Sequence, residues 1–302
     1  MKKSIIRIIL KLNKMHIIYL RDALYIKLQY NYRTGQRPNF KMPKTFNEKL
    51  QWLKLYNRKN IYTIMVDKYE VKNYIANKIG EEYIIPTLGI YDKFDDIDFN
   101  KLPNQFVIKC THDSGGLEIV KDRTKLNVKD AKKKINRHLK RNFYYNNREW
   151  PYKNVKPRII IEKYMATEEQ KQLIDYKFFC FNGEPKFLYI SEGLSNHSTA
   201  KMSFADMNYN ITEFHRKDYE KFKALPKKPI NFEKMKELAK ELSKEIPFIR
   251  VDFYEIEGKM YFGELTFYPC GGYIPFEPEE YDRILGDMLE LPKEKIEGKN
   301  EK

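Results

Sequence analysis

The hydrophobic period of the chain changes partway along it. Residues 3–30 carry apolar side chains at 5, 8, 9, 12, 15, 19, 23 and 26, the spacing of one helix face. Lys3, Arg7, Lys11, Lys14 and Arg21 lie mostly elsewhere on the wheel, so the pattern predicts a basic amphipathic helix. After the loop NYRTGQRPNFKMPK, a further helix starts at TFNE, where Thr45 and Glu48 have capping-box spacing. Asp67 and Glu70 repeat that device in DKYEVKNYIANKIG, with Gly80 as the stop. Then strands take over. YIIPTLGIYD, QFVIKC and LEIV read as strands, and a helix over about 128–141 follows Asn127 as cap. RIIIEKYM precedes DYKFFCFNGEPKFLYI, whose Asn182-Gly183 predicts a two-residue hairpin turn. Residues 231–245 read as a helix, PFIRVDFYEIEGKMYFGELTF as two strands folded about Gly258, and YDRILGDMLEL as a closing helix. The expected class is α+β: helical first, then mostly antiparallel hairpins, in one large domain or in two to three lobes around a cleft.

Charge adds one feature to this picture. The net charge is +15, yet residues 1–60 hold 15 Lys/Arg against only Asp22 and Glu48. A basic segment on a nearly neutral body implies an anionic partner for that segment, not a wholly cationic nucleic-acid-binding fold. No zinc-finger spacing, RNP signature or basic-zipper repeat is present, so no nucleic-acid partner is expected. Two readings of residues 1–30 follow: a helix packed on its own domain, or one lying on an anionic membrane surface. Three widely spaced cysteines, Cys110, Cys180 and Cys270, imply a reducing compartment. MKKSIIRIILKLNK begins like a signal peptide, but Arg7 and Lys11 interrupt it and no small-residue cleavage site follows. With no apolar run of about 18 residues, a cytoplasmic protein is expected.

Two stretches carry candidate chemistry. FVIKCTHDSGGLEIV, residues 106–120, admits four readings: a phosphate-gripping loop, a metal site, a nucleophile with its base, or an ordinary hairpin turn. Cys110-x-His112-Asp113 lacks a second ligand pair at a usual metal spacing. In the last hairpin, Arg250, Asp252 and Tyr254 share one strand face, as do Glu264 and Thr266. A two-residue turn at Glu257-Gly258 would oppose 252 to 263 and put Asp252 and Glu264 on opposite faces. A three-residue loop, Ile256-Glu257-Gly258, pairs 252 with 262 and puts both carboxylates on one face; Gly258 suits its left-handed end, so this loop is expected. Two carboxylates beside an Arg fit a Mg²⁺–nucleotide site, the alternative being a hairpin with solvated charges.

FIRVDFYEIEGKMYFGELTFYPCGG resembles the metal-binding end of an ATP-grasp ligase, with its Arg-x-Asp, hairpin, Glu-x-Asn and Pro-Gly pattern. The resemblance implies Asp252 and Glu264 as Mg²⁺ ligands and Arg250 as the cation facing the reacting phosphoryl and acyl groups. Thr266 replaces the usual Asn and is a candidate third ligand. VDKYEVK resembles the segment that would set Lys68 on the phosphates, and FVIK the strand that delivers Lys109. The loop Thr111–Gly116, with Ser114 and Gly115, would close over the phosphates. RIIIEKYM resembles the adenine hinge, implying backbone contacts from Glu162, Lys163 and Tyr164, with Glu168 or Glu169 on the ribose; DYKFFCFNGEP would add Lys177. More narrowly, FNEKLQWLKLYNR, VIKCTHDSGG, DYKFFCFNGEP and GELTFYPCGGY resemble the TupA-like ATP-grasp family, associated with teichuronopeptide and cell-surface polysaccharide synthesis, over about residues 38–291.

That resemblance implies two α+β lobes with largely antiparallel sheets clasping ATP. The expected division is a basic helical region over 1–80, a first lobe over 81–165 and a second over 166–302. It also implies an ATP-dependent carboxylate–amine ligase using ATP and Mg²⁺ through an acyl phosphate. Its substrates would be a uronic-acid carboxylate on a surface glycan or its precursor, and an amino acid or amine. The rivals are a glycosyltransferase, for which Asp95-Asp96-Ile97-Asp98 is the candidate metal motif, an ATP-grasp phosphotransferase, and a non-catalytic scaffold. His197 and His215 are candidates for an acceptor pocket, and the roles of His112 and Asp113 stay open.

Overall fold

A computed structural model describes residues 3–15, 17–166, 173–193 and 200–297. The helical start comprises α1 (Lys3–Lys14), α2 (Asp22–Thr34), α3 (Phe46–Tyr56), α4 (Ile61–Val66) and α5 (Glu70–Ile79). The single amphipathic helix expected over 3–30 is thus two helices packed on each other, broken at 15–21. Thr45 and Glu48 form the reciprocal capping box. At Asp67 only half of the device forms: its carboxylate accepts from the N–H groups of Tyr69 and Glu70, while the Glu70 side chain turns to Arg158, 2.7 Å away.

The first sheet contains β1 (Thr87–Tyr91), β2 (Phe106–Cys110) and β3 (Leu117–Val120), then, after α6 (Val128–Leu139) and α7 (Tyr144–Asn147), β4 (Ile159–Lys163). It is antiparallel throughout, in the order β1-β4-β2-β3. Phe106, Ile108, Ile159 and Ile161 bury one face among Ala131 and Ile135 of α6, which leaves Lys109 and Glu162 on the other.

The second sheet is built from β5 (Asp175–Phe181), β6 (Glu184–Glu192), β7 (Lys201–Asp206) and, after β8 (His215–Arg216) and α8 (Phe232–Ser243), β9 (Phe248–Ile256) and β10 (Lys259–Thr266). Its order is β10-β9-β5-β6-β7, again antiparallel. Asn182 and Gly183 both have positive φ, as the predicted two-residue turn requires. A short pair of β8 with β11 (Phe276–Glu277) and the helix α9 (Tyr281–Met288) complete the chain. Phe178 and Phe253 face α8, where Phe178 lies 5.9 Å from the Phe232 ring. The opposite face is aromatic at one end, with Phe179, Phe181 and Phe248 around Phe46 of α3, and charged at the other. Residues 46–75 belong to this same core, so the basic helical region expected over 1–80 is divided by packing. Its α3–α5 part is an integral wall of the second sheet; α1 and α2 sit on a separate small cluster around Tyr25, Ile26 and Leu55.

The β9–β10 hairpin reaches its geometry by another route than expected. Its turn is the two-residue Glu257-Gly258, with φ of +51° and +72°, and Lys259 pairs with Ile256. By itself that register would separate Asp252 from Glu264. A bulge corrects it: Phe262 pairs with Phe253, but Leu265 pairs with Val251, so one extra residue is accommodated opposite Asp252. The three-residue loop was therefore wrong, and the shared face arises from the bulge. Gly263 sits at the bulge, where a Cβ would lie 2.9 Å from the Tyr254 ring and 3.2 Å from the Asp252 carbonyl.

Candidate functional site

The two sheets and the α4–α5 segment line a cleft of about 120 Å³. One wall presents Lys68, Lys72, Lys109 and Glu162; the other presents Tyr254 and Glu264, with Met65, Ile85 and Leu265 as apolar lining. Asp113 to Gly116 close one end of it, together with Tyr152.

On the first wall, Lys109 and Glu162 are diagonal neighbours on β2 and β4, their ammonium and carboxylate 2.6 Å apart. Lys72 reaches the other Glu162 oxygen at 2.5 Å and donates to the Ile85 carbonyl at 2.6 Å. Burial pushes the Glu162 carboxyl up, but Lys109 and Lys72 outweigh it and hold it below the usual range. Lys68 donates to the Asp113 carbonyl. Burial draws its ammonium down, against Glu264 and Asp113. Two cations thus share Glu162 while Lys68 meets only a backbone carbonyl, and phosphate oxygens can supply the rest.

The loop after β2 is anchored from behind. Asp113 bonds to His138 of α6, and its other carboxylate oxygen accepts from the Gly116 N–H at 3.3 Å. His112 donates its Nε2–H towards the carbonyls of His138 and Arg141, at 3.2 and 3.0 Å. Asp113 and His112, whose roles the sequence leaves open, thus both bond to the C-terminal end of α6 and the residues that follow it. A side chain at Gly116 would come within 2.7 Å of both Cys110 Sγ and Asp113, so the loop can turn back only with hydrogen there.

The second wall is an interlocked charge cluster. Arg250 grips Asp252 through Nε and Nη2, both at 2.7 Å, and Lys177 donates to Asp252 at 2.6 Å and to Asp175 at 2.8 Å. Arg250 Nη2 also meets Glu264 at 2.5 Å, and the Thr266 hydroxyl donates to the same Glu264 oxygen at 3.2 Å. Asp252 is fully buried, whereas the Glu264 side chain is 47% exposed. Burial pulls the Lys177 ammonium down, but Asp252 and Asp175 outweigh it and hold it well above the lysine range. Burial also pushes Glu264 up, yet Arg250, Lys177 and Lys68 draw it down to about 2. Three carboxylates share two cations, so the cluster is oxygen-rich, yet among the described residues no group of three or more His, Cys, Asp or Glu side chains is arranged to hold a metal ion.

Lys68, Lys109, Ser114, Gly115, Gly116, Glu162 and Glu264 therefore meet at one cleft. Arg250, Asp252, Lys177 and Thr266 lie in the adjoining cluster, where both Asp252 oxygens are engaged by cations. Thr111 faces away: it is buried, and its hydroxyl donates to the Lys156 carbonyl at 3.3 Å. Lys163 is exposed, with its backbone N–H bonded to the Pro86 carbonyl, and Tyr164 is half-buried. Glu168, Glu169 and His197 lie outside the described residues. His215 pairs with Glu277 at 3.2 Å. Asp95 pairs with Lys132 and Asp98 caps a turn; neither lines the cleft. Sequence reasoning missed Lys72 of α5, four residues after Lys68 in the turn before that helix, and Asp175, two before Lys177 on one strand face. Both spacings were available as signals. His138 had no local signal.

A model of the TupA-like ATP-grasp family matches residues 48–290. The chain belongs to this family. Being an ATP-grasp protein places it in a fold whose ligases use ATP and Mg²⁺ and join a carboxylate to an amine. A comparison with curated protein sequences gives no match. Among solved structures, D-alanine–D-alanine ligase from Helicobacter pylori aligns at 17% identity and a TM-score of 0.45, over 81% of this chain and 69% of the ligase. The Bacillus anthracis D-alanine–D-alanine ligase complexed with ATP aligns at 18% and 0.41, over 75% and 63%. L-amino acid ligase from Bacillus licheniformis aligns at 12% and 0.41, over 96% and 62%. The TupA-like chain thus spans about two thirds of the length of these ligases.

Proposed function

We propose that this chain is an ATP-dependent carboxylate–amine ligase that works through an acyl phosphate. Its carboxylate is a uronic acid of a cell-surface glycan or its precursor, and its nucleophile an amino acid or amine. The observation that carries the reading is the opposed charge of the two cleft walls: three lysines, two of them sharing the single carboxylate of Glu162, face Glu264 at the edge of three carboxylates around two cations. The lysine wall, Lys68, Lys72 and Lys109, binds the triphosphate. The residues that would hold Mg²⁺ are Glu264, already presented to the cleft, and Asp252, which must first give up one of its cation contacts. When bound, the ion neutralises developing charge on the transferring phosphoryl group. Arg250, which touches both carboxylates, is placed to stabilise the same charge from the protein side. The loop 111–116, held by Asp113 and His138, excludes water that would hydrolyse an acyl phosphate.

The glycan substrate rests on the family's association with surface polysaccharide synthesis. A membrane contact through residues 1–30, at the cytoplasmic face, belongs to the same proposal, because a lipid-linked precursor would be presented there. No helix of the described residues is long and apolar enough to cross a membrane. The test is ADP release across a panel of uronic acids and amines, with Glu264→Ala as control. Release that requires both a carboxylate and an amine supports the ligase. Release with a carboxyl-free sugar alone would mean phosphoryl transfer to a hydroxyl, and full activity of Glu264→Ala would remove the metal assignment.

A further inference from the structure

The helix α1 has two apolar faces, and only one is used by the fold. Ile6 and Asn13 are buried and Leu10 half-buried, facing α2 and the body. Ile5, Ile8 and Met15 fall on another side of the helix and are 46%, 58% and 57% exposed. Ile17 and Tyr19, in the connection to α2, are 60% and 79% exposed. Lys3, Arg7, Lys11 and Lys14 occupy the arc between the two faces.

The charge around this strip has one sign. From residue 3 to 41 there are nine Lys/Arg and a single acid, Asp22. Asp22 points inward, onto Arg58 at 2.6 Å and Arg148 at 3.1 Å, and accepts from the Tyr144 hydroxyl. None of Lys3, Arg7, Lys11, Lys14, Lys27 or Arg37 has an ion-pair partner among the described residues. Ile6 of α1, Lys27, Leu28 and Asn31 of α2, and Arg37 and Pro38 beyond it line a cavity of about 350 Å³, two cations beside apolar side chains.

We propose that the α1–α2 hairpin docks on an anionic phospholipid bilayer, its exposed isoleucines entering the interface and the Lys27–Arg37 cavity receiving a headgroup phosphate. The proposal rests on the membrane contact put forward above and gives it residues and a chemistry. A strip of large apolar side chains flanked by cations is what an interfacial helix needs, since apolar burial and attraction to anionic lipid add. A second copy of this chain would bring two strongly cationic surfaces together and is disfavoured by that repulsion. The hairpin is also held at a fixed attitude: Arg148, fully buried, bonds to Asn13 at 2.8 Å and stacks over Tyr25 at 4.2 Å. Arg148 adjoins Glu149 and leads to Tyr152 in the cleft, so a docked hairpin sets the orientation of the active cleft to the membrane.

The test is co-sedimentation of the full chain with vesicles of phosphatidylcholine alone or mixed with phosphatidylglycerol. Binding is expected only to the anionic vesicles and to weaken with salt. Ile5→Ser with Ile8→Ser should weaken it at least tenfold, the scale of losing two partly buried apolar side chains. Lys27→Gln and Arg37→Gln should each cost about fivefold, the scale of one basic residue near an anionic surface. All four sites are on the surface of the hairpin, and an unchanged thermal transition verifies that each variant folds. Equal binding to neutral vesicles, or anionic binding untouched by the isoleucine pair, overturns the proposal. So does a dimer in light scattering that the isoleucine pair abolishes, which would assign the strip to a second copy. The two readings fail separately: anionic-vesicle binding by protein that shows no carboxylate- and amine-dependent ADP release upholds docking and overturns the ligase, and such release without vesicle binding does the reverse.

Discussion

The two walls of the cleft hold similar numbers of charges but use them differently. In the first, Lys72 and Lys109 divide the single carboxylate of Glu162, and Lys109 remains 29% exposed. In the second, Arg250 and Lys177 are buried and saturated by Asp252, Asp175 and Glu264. The first wall is charged for a ligand. The second is charged mainly for itself, with only Glu264 turned outward. A buried ion pair is weak evidence of stability, yet breaking one is costly because it strands the partner charge. Substitutions should therefore separate the walls: loss of fold on one side, loss of function with little loss of fold on the other.

The largest effect is expected inside the second wall. Asp252→Asn leaves Arg250 and Lys177 facing each other with one carboxylate fewer, and should destabilise the protein by about 3–5 kcal/mol in denaturant unfolding. Lys109→Ala should stay within about 1 kcal/mol of the wild type, because its side chain is partly solvated. Equal destabilisation by the two would break the contrast.

The converse holds for turnover. Lys109→Ala is expected to lower ADP release by about 10²–10³-fold, the magnitude of losing one preorganised contact to developing charge. A loss under fivefold, with ATP affinity unchanged, would remove Lys109 from the phosphate site.

How far the sequence could anticipate this follows from where each contact originates. Lys109, Glu162, Asp252 and Glu264 were legible because strand alternation and a family pattern fix both their faces and their order. The break of residues 3–30 into two helices was not: the apolar spacing runs through 15–21 without interruption, and only packing against the Tyr25–Leu55 cluster decides the bend. The hairpin is the subtler case. Glu257-Gly258 favours the two-residue turn it adopts, and the bulge that restores the face lies five residues on, at a glycine whose need appears only once Tyr254 and Asp252 surround it. The Asp113–His138 bond joins a loop to a helix 25 residues away and leaves no local trace.

That bulge offers the next test. Gly263→Ala would press a methyl group against the Tyr254 ring and the Asp252 carbonyl, at 2.9 and 3.2 Å. Overpacking of this kind costs about 1–3 kcal/mol. If the bulge holds Glu264 on the Asp252 face, turnover should fall further than that instability explains, measured well below the thermal transition. A variant that is destabilised yet turns over at the wild-type rate would show that Glu264 keeps its place without the bulge.

The smallest effect is a pH dependence, and its sign is fixed by Glu264. Arg250, Lys177 and Lys68 overcome burial and hold its carboxyl at about 2, below the ordinary 4.5. A group with a lowered folded pKa stabilises the protein above its unfolded pKa, and that contribution disappears as pH falls through the folded value. Glu162, also drawn down by its lysines, acts in the same direction. Glu264→Gln should therefore be less stable than the wild type at about pH 6, with the difference shrinking as pH falls towards about 2. Exposure and salt screening keep the gap to a fraction of a buried pair's contribution, and it should narrow further in about 1 M salt. The same comparison for Asp252→Asn should respond little to salt, because its partners are sealed from solvent. A Glu264→Gln gap that stays constant between those pH values would mean that the outward carboxylate draws nothing from the buried cations, and the second wall would then be closed to the cleft altogether.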